Sequence, residues 1–221
     1  MPSSASDFPP PPGFVAFDEC KPLTVYKRHL PHWRQHGATY FVTFHLADAI
    51  PESAKQRLQE LRNECLSSRD SLVQQQLARA LFQETERALD KGIGSAVFAN
   101  PRYADELHRS ILHFHEIRYE IGAYVVMSNH CHLVMRPFGE HKLENLVGAI
   151  KSVVAVSISS ETSSHGRLWF EESYDRIVRD VDHLYRVVQY IGHNPAKAGV
   201  PRQGWRRWIN PDWQSAGWNF D

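Results

Sequence analysis

Residues 121–137 read IGAYVVMSNHCHLVMRP. Two apolar runs, 121–127 and 131–135, flank a polar break at Ser128 and Asn129. Tyr and Val are prominent in the first run, as a buried or half-buried strand prefers. The two runs together predict a β-hairpin around which the fold is built. The second run opens on His130-Cys131-His132. Strand side chains alternate between faces, so His130 and His132 share one face, and Cys131, Leu133 and Met135 take the other. Two neutral imidazoles side by side are half of a metal site. A His-x-His pair also occurs by chance at a sheet edge, so the pair alone leaves both readings open.

Working outward towards the N-terminus, residues 39–47 (TYFVTFHLA) alternate as a strand. Tyr40, Val42, Phe44 and Leu46 form the more apolar set and are expected to face the core. Residues 1–13 are rich in Ser and Pro and read as a disordered or polyproline lead-in, with 14–37 irregular behind them. Residues 51–90 read as helical, with Pro51 at a first-turn position and a break near 67–71. That pair carries no legible chemistry and is expected to be a packing or cover element. A third helix is expected over 104–119, leading into the hairpin, and a fourth over 142–160. In the fourth, Lys151 reads as a snorkelling side chain.

A second informative element lies over about 181–193. Leu184, Val187, Val188 and Ile191 recur at core-facing helical spacing, Asp180 or Asp182 can cap the start, and Pro195 is expected to stop the helix. Tyr190 and Asn194 are one turn apart, so they project together from the rim of that buried face. On spacing alone, a core-edge tyrosine and a capping asparagine are the commoner reading. Beyond them, Arg202, Trp205, Arg206, Arg207 and Trp208 form a basic and aromatic patch. It suits either nucleic-acid backbone contact with base stacking or simple packing of its tryptophans.

Composition sets the outer bounds. The chain has 221 residues, with 25 Lys+Arg against 25 Asp+Glu, so any attraction for a polyanion has to be local. Cys20, Cys65 and Cys131 are far apart and form neither a CxxC pair nor a disulfide framework, which fits a reducing cytoplasmic location. No signal-peptide pattern opens the sequence, and no apolar run approaches the roughly 20 residues of a membrane span, so no membrane partner is expected.

Three strings in order, AYVVMSNHCHLVMRP, LWFEESYDRIVRD and YIGHNPAKAG, resemble the REP-associated tyrosine transposases, which are single-tyrosine HUH transposases. The resemblance covers roughly 39–199, with 51–94 resembling an insertion. It implies that His130 and His132 are metal ligands, Asn194 a third ligand and Tyr190 the nucleophile. The implied cofactor is Mg²⁺ or Mn²⁺. The implied partner is single-stranded or hairpin DNA, cut through a 5′-phosphotyrosine intermediate, by a monomer or homodimer. The implied fold is α+β: an antiparallel sheet of about four strands, a ferredoxin-like HUH palm, with helices on one face and a helical insertion after the first strand. Arg202, Trp205, Arg206 and Arg207 are the candidate DNA contacts. The expected organisation is an N-terminal segment over 1–37, the HUH-like domain over 38–200 with its insertion at 51–94, and a C-terminal tail over 201–221. Ser128 departs from the Pro that many relatives carry before the Asn-His pair, which alters the turn rather than the chemistry. Two rival functions stand beside this one: a domesticated hairpin-DNA-binding protein without turnover, and a metal-dependent hydrolase unrelated to DNA. The sequence argues against the hydrolase, because no further Asp, Glu or His clusters around the His-x-His pair.

Overall fold

The computed structural model describes residues 9–27, 31–162, 166–199 and 205–220. The central hairpin is present. Strand β4 (Tyr119–Val126) and strand β5 (His130–Pro137) pair antiparallel across a short turn, with Met127 N–H donating to the His130 carbonyl at 2.8 Å. Strand β3 (Tyr40–His45) pairs with the other edge of β5, placing Thr43 opposite His132 and His45 opposite His130. Strand β6 (Tyr174–Ile177) adds beyond β3, and strand β7 (Arg206–Ile209) adds beyond β4. The result is a five-stranded antiparallel sheet of order β6-β3-β5-β4-β7, against about four strands expected. The fifth strand comes from the C-terminal stretch.

Helices cover both faces of this sheet, not one. On one face lie α3 (Pro101–Leu112) and α4 (Leu143–Thr162), packed on Val42, Phe44, Tyr124, Leu133 and Met135. On the other lies α5 (Val181–Lys197), whose Leu184, Val187, Val188 and Ile191 pack on Phe41, Ala123, Val125 and Val134. The burial pattern gives the physical reason: every residue of β3 is buried, so neither face of that strand is left for water. The predicted alternation along β5 holds. Cys131, Leu133 and Met135 lie in the core under α3 and α4, while Val134 lies in the core under α5.

A bulge in β4 lets one apolar run serve both cores. Ile121 pairs with Met135 and Ala123 with Val134, so β4 advances two residues while β5 advances one. Ile121 therefore joins the first core and Ala123 the second, although residues two apart in a regular strand would share a face. Gly122 sits at this step because a Cβ there would lie 2.1 Å from the Trp213 ring.

Several boundaries differ from the sequence reading. The third helix ends at Leu112 and Tyr119 already begins β4. The α5 helix does not stop before Pro195 but runs through it to Lys197. Pro195 lies in the last turn, where only the carbonyl one turn back loses its donor. The neighbouring Gly192 carbonyl accepts from Arg207 Nη1 at 2.8 Å. Within the segment read as irregular, β1 (Thr24–Lys27) and β2 (Pro31–Arg34) form a separate two-stranded sheet. The lead-in read as disordered is held over Pro9 and Pro12, whose carbonyls accept from the Trp218 and Trp213 indoles at 2.9 Å. Its first eight residues lie outside the described ones.

The segment expected to be an insertion follows β3 as two helices, α1 (Glu52–Ser67) and α2 (Ser71–Leu89), broken where expected. Asp70 caps α2 by accepting from the Leu72 and Val73 amides. The expectation that no apolar stretch reaches membrane-spanning length needs one correction. Within α4, Leu143–Glu161 is long and apolar enough by length and composition, at a mean hydropathy of 1.2. In the fold this helix lies on the sheet with Leu146, Ile150 and Val154 in the core. Lys151 is 9% exposed, and its Nζ donates to the Phe170 and Glu171 carbonyls at 2.8 and 3.3 Å.

Candidate metal and tyrosine site

Strand β5 delivers His130 and His132 to the face covered by α5, and both are almost fully buried, at 1% and 0% exposure. Their rings lie 4.7 Å apart between centroids. Each ring uses Nδ1 for orientation. His130 Nδ1 is 2.7 Å from Asn129 Oδ1, and His132 Nδ1 is 2.7 Å from Thr43 Oγ1. Both Nε2 atoms are thereby turned the same way, into the space under α5. Hydrogen bonds on the far nitrogen that fix the ring are the usual support of a ligating histidine. Asn129 is in turn anchored, because its Nδ2 donates to the Leu89 and Ile93 carbonyls at 3.3 and 3.2 Å.

Helix α5 brings Tyr190 and Asn194 to the same space, one turn apart as their spacing requires. Asn194 Nδ2 lies 3.2 Å from His132 Nε2. The Tyr190 ring stands edge-on to the His132 ring, 5.2 Å away between centroids. Asp180 starts this helix by accepting from the His183 amide at 2.6 Å. Tyr185 lies elsewhere on the helix, with its ring 6.2 Å from that of Trp218.

The residue that sequence reasoning missed is Glu86. It comes from α2, in the helical pair read as a cover element without chemistry. Glu86 is 4% exposed, its Oε2 is 3.2 Å from His132 Nε2, and it accepts the hydrogen bond of the Tyr190 hydroxyl. Ligand atoms of Glu86, His130 and His132 all lie within 4.8 Å of one another. Acidic clustering around the histidines therefore does exist, and the sequence argument against a hydrolase that relied on its absence falls. No local signal marks Glu86 among the several acidic residues of 51–94. Only the packing of α2 over the sheet selects it.

The electrostatics follow from burial and neighbours. Burial drives the His130 imidazole down to about 3, with His132 adding to the push, so His130 is neutral and able to ligate. Burial alone would raise the Glu86 carboxyl, but His132 and His130 outweigh it and hold it at about 2. Tyr190 goes the other way: burial and then the Glu86 charge raise its phenol well above the ordinary tyrosine range. Three buried atoms at this point have no hydrogen-bond partner: His130 Nε2, Glu86 Oε1 and Asn194 Oδ1. Orphaned buried polar atoms are costly, and here a nitrogen, a carboxylate oxygen and an amide oxygen belong to the same group of side chains. That donor set fits a divalent cation.

The candidate DNA-contacting residues are not gathered at this centre. Arg206 Nε pairs with Asp105 Oδ1 on α3 at 2.7 Å. Arg207, besides its bond to Gly192, lies over the Trp205 and Phe220 rings at 5.3 and 4.5 Å. Trp205 packs at the margin of the second core. Arg202 lies outside the described residues.

Comparison with known proteins bears on this geometry. The family described as "Transposase IS200 like" matches residues 96–194, a stretch that includes the His130–His132 strand and the Tyr190–Asn194 turn of α5. The resemblance read from the sequence is thus borne out, and the α1–α2 pair lies outside the matched stretch. No curated protein matches. Among solved structures, the chain is similar to the REP-associated tyrosine transposase bound to a REP hairpin, at 18% identity and a TM-score of 0.46, covering 80% of this chain and 75% of that one.

Proposed function

We propose that the protein is a metal-dependent single-stranded DNA endonuclease and strand-transferase of the tyrosine transposase type, acting on hairpin or palindromic DNA. One observation carries the reading: Tyr190 stands against a buried cluster of His130, His132, Asn194 and Glu86 in which His130 Nε2, Asn194 Oδ1 and Glu86 Oε1 lack partners. His130, His132, Asn194 and Glu86 would hold the cation. A bound Mg²⁺ or Mn²⁺ supplies Lewis-acid polarisation of a phosphoryl oxygen.

The chain's own groups do the rest. Thr43 and Asn129 fix the two imidazoles. Glu86 receives the Tyr190 hydroxyl bond and so orients the phenol oxygen towards the cluster. In the reaction, the Tyr190 hydroxyl releases its proton on the side of Glu86, which accepts its hydrogen bond, as the phenol oxygen forms a bond to phosphorus; the phosphorus–3′-oxygen bond breaks and the 3′-oxygen takes up a proton from water, so no net proton is gained or lost. The DNA 5′ end is left on the tyrosine, and the bond energy is kept for rejoining, so no nucleotide cofactor is consumed.

The test is a hairpin oligonucleotide labelled 3′ to the cut, incubated with Mg²⁺ or Mn²⁺ and run on a denaturing gel. Wild type is expected to carry label covalently and Tyr190→Phe to carry none, while both bind the DNA. A labelled band that persists in Tyr190→Phe would move the nucleophile elsewhere. Tight binding with no adduct in wild type would favour the hairpin-binding protein without turnover.

A further inference from the structure

A cavity of about 240 Å³ lies between the α1–α2 insertion and the sheet. It runs from Glu86, at the cluster, to Arg62 on α1. Four aromatic rings line it, beside the aliphatic Ile50, Leu58 and Leu81. Phe82 of α2 stacks on Tyr174 of β6, 4.3 Å between ring centroids and 26° between planes. Phe170 stacks on His45, at 4.8 Å and 14°. Arg62 supplies the opposite kind of group: its Nε is buried with no hydrogen-bond partner. Ser173, from the 171–173 linker before β6, also lines the space.

We infer that this cavity is a base-binding subsite that takes one nucleoside of single-stranded DNA adjoining the phosphate at Tyr190. The inference rests on the functional reading above and adds a site made by the insertion. An aromatic ring lining such a space can accept the π-face of any base, and the Arg62 guanidinium, with its Nε unpartnered, can donate to base edges or phosphate oxygens. The cavity begins at the same Glu86 that touches Tyr190, so a strand whose phosphate reaches the tyrosine has a neighbouring nucleoside at the cavity mouth. A paired base cannot enter such a space, whereas an unpaired or extruded one can. The insertion therefore supplies discrimination for single strands that a bare sheet with α5 would lack.

The experiment uses the full chain and a labelled hairpin oligonucleotide with a single-stranded extension of mixed sequence. Versions of it carry an abasic site at one extension position at a time. Binding is read by fluorescence anisotropy. Wild type is expected to lose about tenfold in affinity at one abasic position and little at the others, the size of one stacked base. In Ser173→Trp, which fills the cavity, and in Arg62→Gln, that position is expected to lose its effect while affinity for the blunt hairpin stays the same. Melting curves equal to wild type exclude misfolding of either variant. A flat abasic profile in wild type, together with a Tyr190-dependent covalent adduct, overturns the subsite and leaves the enzyme reading standing. An abasic effect that survives in Ser173→Trp and Arg62→Gln places the base elsewhere and also overturns it. Absence of both DNA binding and adduct overturns the two readings together.

Discussion

At the scale of single residues, the centre sorts into positions that build it and positions that only support the fold beneath it. His130 and Leu133 lie on the same strand but on opposite faces. Leu133 is fully buried in the core under α3 and α4, so Leu133→Ala is expected to cost about 2–5 kcal/mol in denaturant unfolding. His130→Ala removes a polar ring from a polar cluster; it is expected to keep the fold and abolish cleavage, as circular dichroism and the adduct gel would report. Wild-type cleavage in His130→Ala would remove that histidine from the mechanism. Glu86→Gln keeps the shape and removes the charge. It is expected to weaken Mn²⁺ binding about tenfold in a calorimetric titration, the order of loss seen when a metal site is disturbed at one supporting group. Unchanged affinity would confine Glu86 to orienting Tyr190. The legibility of these residues was uneven for a physical reason. His130 with His132, and Tyr190 with Asn194, are bound by local periods of two and about four, which a sequence displays directly. Glu86 and Thr43 reach the same point only by tertiary packing, and no period connects α2 or β3 to β5.

At the scale of elements, the strands were legible because alternation and apolar runs fix them, and the helix limits were less so. Phe114, His115 and Arg118 continue the spacing of the third helix in the sequence, yet the helix ends at Leu112 and Ile121 N–H donates to His115 Nδ1 at 3.2 Å. The α5 helix runs past the stop that Pro195 suggests in the sequence, because Pro is a strong breaker in a helix interior but tolerable in a last turn. Strands β1, β2 and β7 are four residues each, too short to show a pattern. The β4 bulge is the element-level feature most open to test. Gly122→Ala places a methyl against the buried Trp213 ring, and the ring cannot retreat without moving α6 (Pro211–Ser215). Overpacking of this kind costs about 1–3 kcal/mol. The expected outcome is a lower midpoint in urea with an unchanged slope, and with β7 the first strand to lose amide protection in hydrogen exchange. Equal midpoints for Gly122→Ala and wild type would mean that the bulge relaxes freely.

At the scale of the whole molecule, the N-terminal sheet is fastened to the body by buried charge. His32 on β2 lies between Asp175 of β6, 2.8 Å from its Nδ1, and Glu172, 3.0 Å from its Nε2. Arg34 joins the same Asp175 at 2.6 Å and reaches Glu144 of α4 at 3.1 Å. Burial by itself would lower the His32 imidazole, but the two carboxylates outweigh it and raise it from 6.5 to about 9. A raised histidine contributes its stability in full below its unfolded value and loses it as pH climbs through the folded one. This contribution, on the order of 3 kcal/mol, is therefore expected to disappear between about 6.5 and 9. His183 has the opposite sign. Burial, with Arg176 and Arg179 nearby, lowers it to about 4, so its contribution is lost as pH falls from about 6.5 towards that value. Burial also lowers His108, and burial lowers His45 in the same direction. On the acid side the Asp175 carboxyl adds to the loss: burial would raise it, but His32 and Arg34 hold it below its ordinary value. The two limbs predict a melting temperature that peaks near pH 6.5 and declines on either side, measured by scanning calorimetry with chelator present. His32→Gln separates them. It is expected to melt lower below about pH 9, most of all below 6.5, because Asp175 and Glu172 lose a buried cation, and to show a flat profile between about 6.5 and 9 while the acid limb remains. An alkaline decline that persists in His32→Gln would assign that limb to other groups and remove His32 as the charge that ties the two sheets together.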